Sequence, residues 1–468
     1  MISLPPLFEA RMRRLLGCEY AALFDSFAQP LSTRGLRVNT LKVSPDVLET
    51  LLPFAVQPVP FCAQGRQTTA QFRAGSDPLH HAGAYYVQEP SAMSAVTVLA
   101  PQAGERVLDL CAAPGGKSTQ IAAALQGEGL LWANEYVPSR AKVLLQNLER
   151  MGVRNSVVSC GDTALIADAL PLWFDAVLAD VPCSGEGMFR KEPAAIEEWS
   201  EDNIRLCAER SRAILDNAAR CVRGGGRLVI STCTFAPEEN ECAVIRFLHD
   251  HPEFSPVRID LPFGRPALPT DRILPWLSDD LHTFASTVDT TAFRRIFPCD
   301  GGEGHFIALL QKNGESDNSI RPFTPDKRDT TAALGQTIYE DCFTDIPNGT
   351  FATFGNQVLL LPPLFPAVRG VNVLRAGLPV CELCGERTLR AEPTHAVFQA
   401  SAPTQCRRLV DLPAADPRVT AFLRGEEIAT DAPAGFVGVA IHGVLTGFGK
   451  VSGGRLKNRY PKGLRLLK

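Results

Sequence analysis

The stretch from Arg106 to Cys233 repeats one unit: a short apolar strand, a turn, then an amphipathic helix. Arg106-Val-Leu-Asp-Leu reads as a buried strand and Cys111-Ala-Ala-Pro-Gly-Gly-Lys as a tight turn, with a helix opening at Ser118. Gly129-Leu-Leu-Trp-Ala-Asn-Glu, Ser156-Val-Val-Ser-Cys and Phe174-Asp-Ala-Val-Leu-Ala-Asp follow as strands, and the helix between the first two runs from Pro138 to Met151. Ser200 caps a long helix whose apolar stripe includes Ile204, Cys207, Leu215, Ala218 and Val222. Gly224-Gly-Gly should stop that helix, after which Arg227-Leu-Val-Ile-Ser-Thr carries Cys233 at a strand's end. Alternation of this kind builds a mostly parallel, doubly wound sheet, and such sheets bind ligands beyond the carboxyl ends of their strands.

Those ends are acidic. Glu135 closes the second strand, about 20 residues past the glycine turn, where a carboxylate can take both hydroxyls of a ribose. Asp162 follows the third strand and could face the exocyclic amine of adenine, and Asp180 ends the fourth. The turn from Cys111, Ala112 and Ala113 through Pro114, Gly115 and Gly116 to Lys117 lets backbone approach a ligand beside a helix N-terminus. It lacks the G-x-G-x-x-G of a dinucleotide site and matches only the tail of a phosphate-binding loop. S-adenosylmethionine is the expected cofactor. The bland alternative is that Asp109, Glu135 and Asp162 merely cap helices or turns.

Cys183 and Cys233 both lie just past strand ends, among small polar residues, whereas Cys160, Cys207, Cys221 and Cys242 read as ordinary core thiols. A thiolate beside a methyl donor suits alkylation at C5 of a pyrimidine, because attack at C6 makes C5 enamine-like. Lys117 and nearby helix N-termini would favour the thiolate, and Asp180 would stabilise protonation at N3 or bond the exocyclic amine. One cysteine then attacks and the other assists release.

Leu108-Asp-Leu-Cys-Ala-Ala-Pro-Gly-Gly-Lys-Ser, Asp180-Val-Pro-Cys-Ser-Gly-Glu-Gly-Met-Phe-Arg-Lys and Ser231-Thr-Cys-Thr-Phe-Ala-Pro-Glu-Glu-Asn-Glu resemble the signature motifs of the Nol/Nop/Sun family of RNA cytosine-5 methyltransferases. Tyr86-Val-Gln-Glu-Pro-Ser-Ala-Met and Arg37-Val-Asn-Thr-Leu-Lys resemble its upstream motifs, so the similarity spans about residues 34–310. One departure is Asp180-Val-Pro, where many relatives carry proline directly after the aspartate. The resemblance implies that Cys233 is the nucleophile and Cys183 helps release product, with cofactor contacts at Cys111 through Lys117, Glu135, Asp162 and Asp180. Phe422-Leu-Arg-Gly-Glu, Gly447-Phe-Gly-Lys and Leu456-Lys-Asn-Arg-Tyr-Pro-Lys resemble the PUA-like domain of the family's bacterial ribosomal-RNA methyltransferase F branch, which implies small-subunit ribosomal RNA as substrate. The expected fold is therefore α/β: a class I, Rossmann-like methyltransferase with an N-terminal α+β RNA-binding extension and a small β-rich C-terminal domain. Expected boundaries are 1–75, 76–312, a linker at 313–332, an intermediate α+β region at 333–400, and the PUA-like domain at 401–468.

Charge agrees with an RNA partner once it is located. The net charge is only −4, but no Asp or Glu follows Gly443, while Lys450, Arg455, Lys457, Arg459, Lys462, Arg465 and Lys468 fall there. Tyr460 amid these cations would offer a stacking platform. Arg11, Arg13, Arg14, Arg34, Arg37 and Lys42 form a second basic group, from which Arg37 and, beside it, Asn39 are expected to contact RNA. The 45% hydrophobic content excludes disorder, no apolar run of about 18 residues suggests a membrane span, and no secretory signal is read at Met1. With 14 scattered cysteines, a cytoplasmic, monomeric protein is expected. Cys381-Glu-Leu-Cys384 has zinc-like spacing but lacks a second pair, His395 looks isolated, and no metal is expected. His80-His81 reads as surface loop. A transfer-RNA methyltransferase and a non-catalytic ribosome-assembly factor are the competing readings. An amino-group methyltransferase would want an aromatic residue where Cys183 stands.

Overall fold

The computed structural model describes residues 3–28, 33–316, 319–326, 329–385 and 390–466; Lys468 and parts of the expected linker and intermediate region lie outside these. Its centre is a ten-stranded sheet. The strands Val222–Thr232, Phe174–Asp180, Arg106–Asp109, Leu130–Glu135 and Ser156–Cys160 lie side by side and parallel in that spatial order. His305–Lys312 joins antiparallel beside Val222–Thr232. Chain order reverses between Arg106–Asp109 and Phe174–Asp180, and a crevice opens at such a switch point.

Local chemistry explains the elements. Ser200 caps the helix Glu201–Cys221 by accepting from Asn203 N, and apolar residues four apart bury one face of it. Gly224-Gly-Gly does not end this helix, which stops at Cys221; the glycines form a bulge in the next strand. Phe174 pairs with Val222 and Ala176 with Arg227, so the intervening residues loop out, with Gly225 at φ +70°. A Cβ on Gly226 would sit 3.0 Å from the Asp175 carbonyl.

The expected domain boundaries shift. Tyr85–Val87 pairs with Arg34–Val38 and completes a four-stranded N-terminal sheet, which therefore runs past residue 75. Val373–Ala376, from the intermediate region, adds antiparallel to Ser156–Cys160, so that region is stitched to the central sheet. The helix His395–Gln399 packs on Val444–Ser452, a strand of the five-stranded C-terminal sheet, across the boundary expected at 400. Strand pairing between distant segments overrides composition here.

Buried polar groups pin the loops at the strand ends. Arg295 makes bonds of 2.7 and 2.5 Å to the two Glu241 oxygens and a third, 2.7 Å, to the Phe235 carbonyl, all out of solvent. This pair ties the segment after Cys233 to the Arg294–Ile296 strand. Glu241→Gln should destabilise the protein by about 3–5 kcal/mol, because it leaves a buried guanidinium without its counter-charge; the midpoint of urea unfolding checks this.

Candidate active site

Strand register brings the two cysteines together. Asp180 lies opposite Ser231 on adjacent parallel strands, so both chains leave the sheet side by side. Cys183 Sγ and Cys233 Sγ are 3.3 Å apart, and Cys233 N donates to Cys183 Sγ at 3.3 Å. The Cys183 thiol is pushed well above its ordinary range, first by its bond to the Cys233 sulfur and then by burial. The loop after Cys183 folds back so that Gly187 N reaches the Cys233 carbonyl at 2.9 Å. Any Cβ on Gly187 would lie 2.9 Å from that carbonyl oxygen and from Gly304.

Beside the sulfurs, Lys117 Nζ donates to Asp180 Oδ2 at 2.7 Å, and Ser231 Oγ donates to Asp180 Oδ1 at 2.5 Å. Burial opposes charge on both members of the pair. The partner's charge prevails, holding Asp180 below the usual carboxylate range and Lys117 above the usual ammonium range. Asp180 is therefore an ionised acceptor. Buried His305, on the neighbouring antiparallel strand, is lowered to about 4 by burial and then by Lys117, so its imidazole is neutral.

A cavity of about 790 Å³ opens on Asp180 and the two cysteines and runs along the strand ends. Cys111, Ala113, Glu135, Asp162, Asp180, Cys183 and Cys233 all line it. Ala112 is buried, and Pro114, Gly115 and Gly116 shape the turn from behind; Gly115, at φ +111°, precedes the helix Gly116–Leu125. Glu135 is buried, with Oε1 accepting from Val137 N at 2.9 Å, while Oε2 makes no hydrogen bond among the described residues. Asp162 is also the helix cap of the bland reading: Oδ1 accepts from Ala164 N at 2.9 Å. Asp109 stands under the turn, bonded to Ser118 Oγ at 2.6 Å and pushed up to about 7 by burial. A carboxylate with a free oxygen, a second at the next strand end and an open cavity between them fit a nucleoside with a charged tail.

Three contributions escaped the sequence. Tyr136, 70% exposed, lines the cavity directly after Glu135, where its ring can cover a purine; an aromatic residue beside a strand-end acid was the available signal. Asn134 donates to the Gly161 carbonyl at 3.0 Å and accepts from Ser159 Oγ at 2.8 Å, and Ser159 in turn accepts from Trp132 Nε1 at 2.9 Å. This chain holds the cavity walls in place. Behind the cysteines, Glu239 accepts from Ser184 N at 2.9 Å and Ser184 Oγ at 2.5 Å, and Ser184 also meets Thr234 Oγ1 at 2.7 Å. Thr234 donates to Glu186 Oε2 at 3.0 Å, so one buried network spans both cysteine loops.

Three expected RNA contacts are corrected. Arg37 is 1% exposed; it holds the Gly116 carbonyl at 2.6 Å and Thr119 Oγ1 at 2.7 Å, and bonds Gln88. It braces the start of the cofactor-side helix. Asn39, also 1% exposed, donates to the carbonyls of Gly83 and Met151 at 2.8 Å each. Tyr460, 2% exposed, is core: its hydroxyl meets His81 Nδ1 at 2.8 Å, and its ring packs on Phe422 and His395, so no face is free to stack. His81 is thus a junction residue, and His395 is paired with Glu149 at 3.2 Å. Arg11 and Lys42 are likewise engaged internally, Arg11 by Glu201 and Glu238 and Lys42 by the carbonyls of Ala82 and Leu445. Lys450, Lys457 and Lys462 are exposed, the first two directly opposite each other on paired strands; Arg459 is exposed but ion-paired with Glu392 at 3.0 Å.

Fold and site together define a class I, Rossmann-like S-adenosylmethionine-dependent methyltransferase. Residues 96–311 match the family described as 16S rRNA methyltransferase RsmB/F, residues 4–90 the N-terminal domain of 16S rRNA methyltransferase RsmF, and residues 410–466 the methyltransferase RsmF PUA domain. Ribosomal RNA small subunit methyltransferase F of Escherichia fergusonii is 32% identical, covering 99% of this chain and 97% of its own. Its namesake in Klebsiella pneumoniae is 33% identical with the same coverage. A methyltransferase homolog from Pyrococcus horikoshii superposes with a TM-score of 0.57 at 30% identity, over 66% of this chain and 96% of its own. The chain belongs to the ribosomal RNA small subunit methyltransferase F family.

Tyr460→Phe should cost about 1 kcal/mol of stability through the lost bond to His81 and leave RNA affinity unchanged in a filter-binding assay. Arg37→Met should instead weaken S-adenosylmethionine binding roughly tenfold, about 1.4 kcal/mol, as read by calorimetry.

Proposed function

We propose that this protein methylates C5 of a cytosine in small-subunit ribosomal RNA through a transient bond between Cys233 and C6 of the base. The observation that carries this reading is the pair of sulfurs 3.3 Å apart beside an ionised Lys117–Asp180 pair, on one wall of the cofactor-sized cavity. Glu135 would take the ribose hydroxyls of S-adenosylmethionine, Asp162 the adenine amine, Tyr136 the adenine face, and Cys111 through Lys117 the approach of the helix start. The bound cofactor supplies an electrophilic methyl group.

The chain's own residues do the rest. Cys233 Sγ bonds to C6, and the electron pair of the C5–C6 double bond becomes available at C5. Asp180, ionised, accepts from the exocyclic amine of cytosine, and the Lys117 ammonium keeps it charged and balances the charge that develops on the ring. The main cause of the raised Cys183 thiol is the Cys233 sulfur. Cys183, 3.3 Å from the attacking sulfur, is placed to serve as the base once its own proton has passed to water in the open cavity. Once C5 has used that electron pair to bond the methyl group, Cys183 takes the C5 proton, the S–C6 bond breaks, the ring double bond re-forms, and Cys233 leaves as thiolate. Lys450 and Lys457, paired across two strands, would hold RNA phosphates together with the exposed Arg459 and Lys462.

Cys233→Ser should lower kcat by about 10⁴-fold or more, the scale seen when a nucleophile is removed, while Cys183→Ala should accumulate a protein–RNA adduct on a denaturing gel. Bisulfite sequencing of ribosomal RNA from cells with and without the gene should lose one protected cytosine. Normal methylation by both variants would overturn the reading.

A further inference from the structure

A second cleft, of about 430 Å³, opens between the N-terminal sheet and the loop that follows Cys183. Arg34, Gln71, Gln88 and Glu89 line one side, and Arg190 and Lys191 the other. Hydrogen bonds link its lining to residues that support the active site. Gln88 bonds the Arg37 guanidinium that braces Gly116, and Glu89 Oε1 accepts from Glu303 N at 3.2 Å. His305, two residues further, lies within electrostatic reach of Lys117, Asp180 and Glu89 together. Behind the cleft the Cys183 loop lies hard against the Gly304 backbone, since a Cβ on Gly304 would lie 2.7 Å from Gly187.

The cations on this cleft are poorly used inside the protein, unlike Arg11, Arg37 and Lys42. Arg190 Nε stands 3.5 Å from Glu303 Oε2, an ion pair without a hydrogen bond, and both atoms are buried with no other hydrogen-bond partner. The Arg190 Nη groups and the Lys191 ammonium make no hydrogen bond among the described residues. Arg34 spends only Nη1, on the Phe72 carbonyl at 2.5 Å. Donors left without acceptors in a concave, half-buried wall fit a ligand rich in anionic oxygens. A cleft of about 430 Å³ on the Cys183 loop, beside a site that must receive an unstacked base, fits one strand and not a duplex.

We propose that this cleft holds the ribose-phosphate backbone next to the target nucleotide, with phosphate oxygens accepting from Arg190, Lys191 and Arg34 and the exposed Gln71 amide facing the neighbouring base. The proposal rests on the reading that the substrate is RNA. It gives the strand one defined entry between the N-terminal unit and the Cys183 loop, and it makes Lys191, from the motif Gly187-Met-Phe-Arg-Lys, a substrate-binding residue.

The test measures binding of single-stranded oligocytidylate RNA to the full-length protein across a salt series, for wild type, Lys191→Glu, Lys191→Gln and Arg34→Gln. Lys191→Gln and Arg34→Gln should each weaken binding and flatten the plot of log Kd against log salt by about 0.7, the value of one single-strand phosphate contact. Lys191→Glu should weaken binding further, and S-adenosylmethionine affinity should stay at the wild-type value, which also reports that the variants are folded. Wild-type Kd and slope in all three variants would overturn the path. The underlying reading fails separately: Cys183→Ala protein that traps no adduct on 16S ribosomal RNA would sink the C5 chemistry, while the salt slopes still report whether the cleft holds RNA.

Discussion

Two sulfur atoms held 3.3 Å apart beyond the ends of adjacent parallel strands are the constraint on which the rest of this molecule depends. Neighbouring strands run about 4.8 Å apart, so side chains leaving them at the same level can meet only if the register is right and the loops do not drift. The pairing of Asp180 with Ser231 sets the register. The buried set Ser184, Glu239, Thr234 and Glu186 then ties the two loops to each other, and Arg295 with Glu241 ties them to the sheet. Buried polar groups are costly unless fully satisfied, and their concentration behind the cysteines places that cost where positional accuracy matters for chemistry.

The flanking units are fixed to the same frame. Phe8 of the first helix packs against Phe189 and Trp199, covering the loop after Cys183, and Arg11 pairs with Glu201 and Glu238 beside it. Arg37 reaches from the N-terminal sheet to the helix start at Gly116. The C-terminal sheet is anchored by Tyr460 on His81 and by Lys42 on the Leu445 carbonyl. The exposed lysines of the C-terminal unit, Lys450, Lys457 and Lys462, are thus carried on the same frame as the sulfurs.

Much of this was legible in the sequence because strand and helix periods, strand-end acids and cysteines between small residues are local signals. The order of elements from Arg106 to Cys233, the terminal position of Glu135, Asp162 and Asp180, and the cap at Ser200 all follow from neighbours along the chain. What could not be read is long-range. Arg37, Asn39 and Tyr460 look like surface groups until the three units close over them, since a charged or phenolic residue gives no local sign of the carbonyls and imidazole it will meet. Val373–Ala376 gives no sign of the sheet edge it completes, since Val373 pairs with Ser159 far back along the chain. Asn134 and Glu239 were silent for the same reason: each acts through partners supplied by other strand ends.

The most direct measurement is peptide mapping by mass spectrometry of the Cys183→Ala protein after reaction with S-adenosylmethionine and 16S ribosomal RNA and nuclease digestion. The account predicts one modified peptide, carrying a methylated cytidine nucleotide on Cys233. A nucleotide found on any other residue, or an unmodified Cys233 peptide under conditions where methyl transfer proceeds, would contradict it.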